Sequence, residues 1–155
     1  MNNLVLYKSC SASSNDDWIL FENYFQVKFP LSFKKFYLQH NGGITVNKDF
    51  SIGCDRHDIH CFLSIKYSND STRTIIEEYK ENMRFKNFQD NFVPFALDQD
   101  GNFYLINICN ENYGKIYMWF HDIDYDEPKV FTTNSFNILT KSIMENKKNN
   151  RTEVI

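Results

Sequence analysis

Apolar and polar positions change period several times along the chain, and each change marks an element. Trp18, Phe21, Tyr24 and Phe25 recur at helical spacing opposite Glu22, Asn23 and Gln26, which predicts a helix from Ser14 to about Val27. Ser14 with Asp17 three residues on resembles a capping box. Pro30 forbids continuation of that helix, because proline lacks the backbone N–H and clashes with the preceding turn. A second, short helix follows, with Phe33, Phe36, Tyr37 and His40 on one face and Ser32 as its expected cap. Asn41-Gly42-Gly43 stops it, since asparagine tolerates the left-handed conformation and glycine adopts it freely.

The period then shortens. Leu4–Tyr7 is a candidate first strand, and Ile44-Thr45-Val46 with Phe50 and Ile52 reads as a strand or hairpin. Gly53–Asp58 reads as a polar loop, and Ile59, Cys61, Leu63 and Ile65 alternate as a further strand. The Ser/Thr/Asn/Asp cluster at Ser68–Thr74 starts a helix with Ile75, Ile76, Tyr79 and Met83 on one side and Glu77, Glu78, Lys80 and Glu81 on the other. Phe92–Leu97 is an apolar run whose Pro94 implies an edge position or a bulge. Asp98-Gln99-Asp100-Gly101 is a tight turn. Phe103–Ile108, apolar on both faces, is a central strand, and Lys115–Phe120 returns after a turn at Asn110–Gly114, so these three runs form an antiparallel meander. Lys129–Thr132 is the candidate last strand. Thr133 or Asn134 is the expected cap of a final helix bearing Phe136, Leu139 and Ile143.

This order predicts an α+β fold: a single antiparallel sheet of about five to six strands, with helices packed on one side and at the edges. One domain is expected over residues 1–145, with 146–155 a polar, frayed tail. Composition supports a real core. The chain has 155 residues, of which 42% are hydrophobic and 17% aromatic, with 15 Phe and 9 Tyr, a content that disordered chains lack. A net charge of -3 argues against nucleic-acid binding and favours a basic partner. The four cysteines are scattered, with no C-x-x-C pair, as in a reduced cytoplasmic protein. The first ten residues lack a basic leader and a long apolar run, and no stretch is long enough to span a membrane, so a soluble cytoplasmic protein is expected.

Several patterns carry candidate chemistry. Cys54, Asp55, His57, Asp58, His60 and Cys61 are ligand-type residues within one short segment, and Cys54, His57, His60 and Cys61 would make a zinc set if they converged. On a loop running into a strand they diverge, and Cys61 points away from His60, which favours a solvated loop with one buried cysteine. His57-Asp58 and His121-Asp122 each spell the His-Asp pair of metal phosphohydrolases, without the helix and further ligands that chemistry needs. Asp98-x-Asp100-Gly101 begins like a calcium loop, but glycine comes two positions early and Cys109 stands where the closing Glu belongs, so a hairpin turn is favoured. No phosphate-binding glycine loop and no G-x-S-x-G elbow occur. No cofactor is expected.

The most directional surface feature is the acidic run Asp122, Asp124, Asp126 and Glu127, four carboxylates within six residues. Such charges cannot all be buried; they form either a solvated connection or a contact for a basic partner. Trp119, just before the run, is a candidate aromatic anchor or a core residue. Asp98 and Asp100 belong to a turn that a meander brings near the end of the strand at Phe120, so the two acidic turns are expected to share one rim. The candidate partner-binding residues are therefore Asp98, Asp100, Trp119, Asp122, Asp124, Asp126 and Glu127.

Taken in order, these segments resemble the SUKH superfamily of Smi/Knr-type domains. Phe29-Pro30 through Asn41-Gly42-Gly43 is similar to its "Leu-Pro, helix, Asn-Gly-Gly" signature, with Phe29 in place of the usual leucine. Phe62–Ile65 resembles the strand leading to its mid-chain helix. Phe92-Val93-Pro94-Phe95-Ala96-Leu97 with Asp100-Gly101 and Tyr104-Leu105 is similar to its "Ile-Pro-Phe-Ala … Asp-Gly … Tyr-Leu" hairpin, with fewer glycines in the turn. Gly114-Lys115-Ile116-Tyr117-Met118-Trp119 with His121 resembles its "Gly-x-Val-Tyr-x-Trp … His" strand, and Ser135-Phe136 to Leu139 its closing helix. The resemblance, over residues 15–145, implies a SUKH-like α+β domain without catalysis or cofactor. It implies an immunity protein that neutralises a cognate bacterial toxin by occlusion. The toxin would be basic, with a nuclease among the candidates, and the immunity protein a monomer that binds neither nucleic acid nor membrane. The superfamily also includes yeast cell-wall regulators, so a regulatory or scaffold module stands as the alternative.

Overall fold

The computed structural model describes residues 4–46, 49–121 and 129–152, with 129 and 146–152 described in backbone alone. In chain order the elements are β1 (Leu6–Tyr7), α1 (Asn15–Phe25), α2 (Leu31–Gln39), β2 (Gly43–Thr45), β3 (Asp49–Ile52), β4 (Asp55–Asp58) and β5 (Cys61–Phe62). They continue with α3 (Ile75–Asn82), β6 (Phe92–Leu97), β7 (Phe103–Asn107), β8 (Ile116–Trp119), β9 (Lys129–Thr133) and α4 (Phe136–Thr152). The fold is α+β. Its main sheet has seven strands in the order β1-β2-β5-β6-β7-β8-β9, every neighbour antiparallel, slightly more than the five to six expected. β3 and β4 form a separate two-stranded ribbon.

Alternation on the meander explains how the sheet is covered on both faces. Val93, Tyr104, Ile106, Ile116 and Met118 point to one side, where they meet Trp18 and Phe21 of α1, Phe33, Phe36 and Tyr37 of α2, and Phe136, Leu139 and Ile143 of α4. Phe92, Phe103, Leu105 and Trp119 point to the other side, where Phe88, from the segment after α3, packs on them. Pro94 sits in β6, an interior strand, and the ladder shifts register between Pro94 and Ala96. The missing proline N–H is thus accommodated by a bulge rather than by an edge.

Helix starts follow local chemistry. Ser14 caps α1 and Thr74 caps α3, each in a reciprocal box with Asp17 and Glu77 respectively. Asp17 also holds the Lys66 ammonium at 2.7 Å, and this bond with the Ser14 N–H keeps its carboxyl down at about 2. Ser32 does not cap α2: the helix begins at Leu31, with Pro30 as the flanking residue and no side-chain cap. At α4 the Ser135 Oγ accepts the Ile138 N–H, one position after the residues expected to do so. α4 itself runs on to Thr152.

Two glutamates expected on solvated helix faces are buried. Glu22 is 6% exposed and accepts hydrogen bonds from the Phe29 N–H and the Lys28 ammonium, so it fixes the turn between α1 and α2. Burial raises its pKa, but these two donors outweigh burial and leave it below the usual carboxylate range. Glu78 is 8% exposed and pairs with Arg73 at 2.8 Å.

Asn41 is the junction of three segments. Its backbone is not left-handed, contrary to expectation; Gly42 and Gly43 take the positive φ values of 74° and 130°. The Asn41 amide donates to the carbonyls of Ser11 (2.8 Å) and Lys66 (2.7 Å), and its Oδ1 accepts the Ile65 N–H at 2.9 Å. A Cβ on Gly42 would lie 2.9 Å from Thr72 Cγ2 and 3.0 Å from the backbone at Phe62 and Ser64. Gly53, at φ 61°, has open space around it. Gly42→Ala therefore combines backbone strain with collision and should cost about 3 kcal/mol or more, against about 1 kcal/mol for Gly53→Ala, where strain acts alone. Urea midpoints of the two variants measure the difference; equal losses would contradict this account of the glycines.

Candidate functional site

The separate ribbon creates the site. Ile52 pairs with Asp55, so only Gly53 and Cys54 connect β3 to β4, with glycine supplying the positive φ of a two-residue turn. Asp55–Asp58, expected as loop, is thus a strand, because every one of its residues has a partner on β3. Phe50 anchors the ribbon: it is 1% exposed, stacks on His57 (centroids 5.6 Å apart) and reaches the Tyr104 ring at 6.4 Å. The Tyr104 hydroxyl donates to the Asp58 carbonyl at 2.8 Å, and Asp58 Oδ2 accepts the Gln99 N–H at 2.8 Å. The ribbon is thereby held against the β6–β7 turn.

Between the ribbon and the sheet lies a cleft of about 460 Å³. Asp55, Arg56, His57 and Asp58 of β4 form one wall; Tyr104, Met118 and Phe120 line the sheet side; Val130, Phe131 and Thr132 of β9 form the other margin; Asp98 closes an end. Val130 and Phe131 are more than half exposed. A second cleft, about 580 Å³, lies between α1 and α3 and carries a single carboxylate, Asp90, among Tyr24, Phe25, Tyr79 and other neutral residues. The first is therefore the chemically distinctive one.

Its electrostatics are lopsided. Burial pushes the His57 imidazole below its ordinary pKa against the opposing pull of Asp55 and Asp58, so the ring is neutral at pH 7. Three carboxylates then face one guanidinium. Asp58 is raised, first by burial and then by repulsion from Asp98, Asp49 and Asp100, which together outweigh the Gln99 N–H. Among the described residues no cluster of His, Cys, Asp and Glu is arranged to hold a metal. Cys54 is exposed and Cys61 buried beside Thr72, so the four residues considered for zinc do not assemble.

The residues singled out from sequence fall into three groups. Asp98 is 7% exposed; its carboxylate accepts the N–H groups of Asp100 (2.9 Å) and Asn102 (2.8 Å) and the Asn102 side-chain amide (2.9 Å). It builds the turn that presents the exposed Asp100. Trp119 is 5% exposed and packs on Phe88 and Phe103, with Phe85 edge-on at 5.6 Å. Asp122, Asp124, Asp126 and Glu127 lie outside the described residues. The turn and the end of β8 do meet, as His121 Nδ1 lies 3.0 Å from Asn102 Oδ1. Asp55 and Asp58, read only as metal-ligand types, and Phe131 are not among the contact residues expected from sequence. The Gly-x turn after Phe50 and Ile52 was the available signal for a hairpin that would carry the first two into the site.

A family model, SMI1 / KNR4 family (SUKH-1), matches residues 12–141. The chain belongs to this SUKH family. A crystal structure of a protein from Pseudomonas syringae pv. tomato is similar, with a TM-score of 0.48 and 16% identity over 77% of this chain and 76% of that one. No curated protein matches the chain. No helix of the described residues in this SUKH domain is long and apolar enough to cross a membrane.

The raised pKa of Asp58 has a definite sign. A carboxyl that binds its proton more tightly in the folded state loses stability as pH rises from the ordinary aspartate range through the folded pKa, and that cost is fully present at neutral pH. Asp58→Asn keeps an acceptor for the Gln99 N–H and removes the charge. The variant should be as stable as the parent or up to about 1 kcal/mol more stable at pH 7, with the advantage shrinking toward pH 4. Denaturant titrations at the two pH values test this; a variant destabilised at pH 7 would contradict it.

Proposed function

We propose that this SUKH domain is an immunity protein that binds a cognate bacterial toxin and occludes it, without catalysis, as a cytoplasmic monomer. The observation that carries the reading is the cleft beside β9, where carboxylates, a neutral aromatic lining and an exposed apolar strand margin lie together. That combination, apolar contact area within a charged rim, is the anatomy of a protein-binding surface. Family membership supports a protein partner.

In this reading Asp55, Asp58 and Asp100 meet basic groups of the toxin, and Val130 supplies desolvated contact on the cleft side of β9. Asp122, Asp124, Asp126 and Glu127 add negative charge that speeds encounter with a basic surface, a nuclease being one such partner. Asp98 acts by holding the turn, and Trp119 by supporting the sheet beneath. A charge-steered encounter weakens with ionic strength.

Co-expression with the product of the adjacent toxin-like gene is the direct test. The expected outcome is a one-to-one complex by gel filtration and survival of the co-expressing cells. The association rate should fall roughly tenfold between low salt and about 0.5 M salt. Absence of both complex and protection would overturn the reading for that pair. Recovery of a non-toxin protein as the stable native partner would instead favour the regulatory module.

A further inference from the structure

The two edges of the seven-stranded sheet differ. β1 offers two residues, and Lys8, at a φ of 53°, turns the chain away directly after them. β9 offers five residues, and no strand of the sheet lies beyond it. We propose that β9 is the edge on which the partner docks, through an extended, basic segment that pairs with Lys129–Phe131 as an added strand. This deepens the proposed function and rests on it only for the identity of the partner.

The ladder fixes where each backbone group of β9 points. The Asn107 N–H donates to the Lys115 carbonyl at 2.9 Å, on the β8 side, and the Ile108 N–H donates to the Asn91 carbonyl at 2.9 Å, on the β6 side. Register between β7 and β8 is constant from Phe103 to Ile106. Tyr117 and Trp119 therefore bond back to β7, and Ile116 and Met118 bond forward to β9. Met118 faces Val130. The Val130 N–H and C=O are thus used by β8, while those of Lys129 and Phe131 point away from the sheet. Among the described residues no backbone group bonds to them. Outward N–H and C=O groups on alternate residues match the repeat of an extended chain, and a helix cannot supply that repeat. The register shift between Phe131 and Thr133 ends the run, so the template is short.

Side chains flank both sides of this position. Val130, 55% exposed, stands on the cleft side beside Met118. Phe131, 51% exposed, stands on the other face, edge-on to Tyr117 at 5.7 Å. An added strand covers both apolar side chains. Charge selects the occupant. A second copy would pair β9 with β9 and bring two clefts, each with Asp55 and Asp58 on its wall, to one seam, in molecules that each carry a net charge of -3. A basic segment meets opposite charge there instead.

The probe is acetyl-Lys-Thr-Val-Thr-Val-Thr-Lys-amide, titrated into isotope-labelled full-length protein and followed by amide NMR and hydrogen exchange. The expected result is saturable binding in the millimolar range. The Phe131 amide should exchange freely in the free protein and at least tenfold more slowly in the complex, whereas Val130 is slow in both. Methylating the valine nitrogens, which face β9 when valine lies opposite Phe131, should abolish binding; methylating the threonine nitrogens, which point away, should leave it within about twofold. Glutamate in place of both lysines should weaken binding at least fivefold. Phe131→Pro removes an outward N–H and no ladder bond, so the variant should stay folded and not bind; if it unfolds, the two methylated peptides decide the same point on the unaltered protein. A Phe131 amide already protected in the free monomer, equal effects of the two methylations, or undiminished binding of the glutamate peptide would overturn the inference. So would a concentration-dependent dimer that protects Phe131, which assigns the edge to a second copy. If a toxin complex leaves the Phe131 amide exchanging freely, the inference fails and the immunity reading stands. If the peptide docks on β9 and the adjacent toxin does not bind, the edge stands and the immunity reading fails.

Discussion

The hydrogen bonds of one buried amide, Asn41, hold the architecture in register. From the end of α2 its side chain joins the chain before α1 and the segment after β5 through the carbonyls of Ser11 and Lys66 and the buried Ile65 N–H. Residues 10, 11, 41, 65 and 66 are thus fixed before any sheet pairing beyond β5 is considered. Gly42 and Gly43 follow because the amide can sit there only if the next two residues leave the junction with no side chain in the way. The sharp end of α2 is a consequence of this junction rather than its purpose.

With that corner set, each strand of the main sheet pairs with the next of that sheet in chain order, the β3–β4 ribbon being skipped between β2 and β5, and the meander carries apolar residues on both faces. A sheet covered on both sides has little area left for a partner. Open surface is left where cover is thin: the last strand, the β6–β7 turn and the detached ribbon. The acidic cleft lies where these three meet, on the side of the sheet farthest along the strand order from β1.

Features set by neighbours in sequence were legible in it. The capping boxes at Ser14 and Thr74, the core faces of α2 and α4, the Asp98–Gly101 turn and the alternation within each strand of the central meander all depend on spacings of a few residues. Features set by partners outside an element's own periodicity were not. Glu22 and Glu78 look like solvated helix residues until the chain folds back to supply Lys28 with the Phe29 N–H, and Arg73. Asp55–Asp58 has no apolar alternation, and its strand character comes entirely from β3 across the turn. In the site, Asp98 and Asp100 were both visible as acidic, but which one is spent inside the turn depends on the Asn102 contacts. Asp55 and Asp58 were seen only as metal-ligand types, because the wall they form exists only once the ribbon lies on Tyr104.

The ribbon satisfies its own backbone pairing and contributes no strand to the seven-stranded ladder. Phe50 and the Asp58 bonds fasten its base, while Gly53 at its tip faces open space. Its length and tip sequence are therefore uncoupled from the register of the sheet. A change confined to the tip at Gly53 and Cys54 leaves every pairing of the seven-stranded sheet in place.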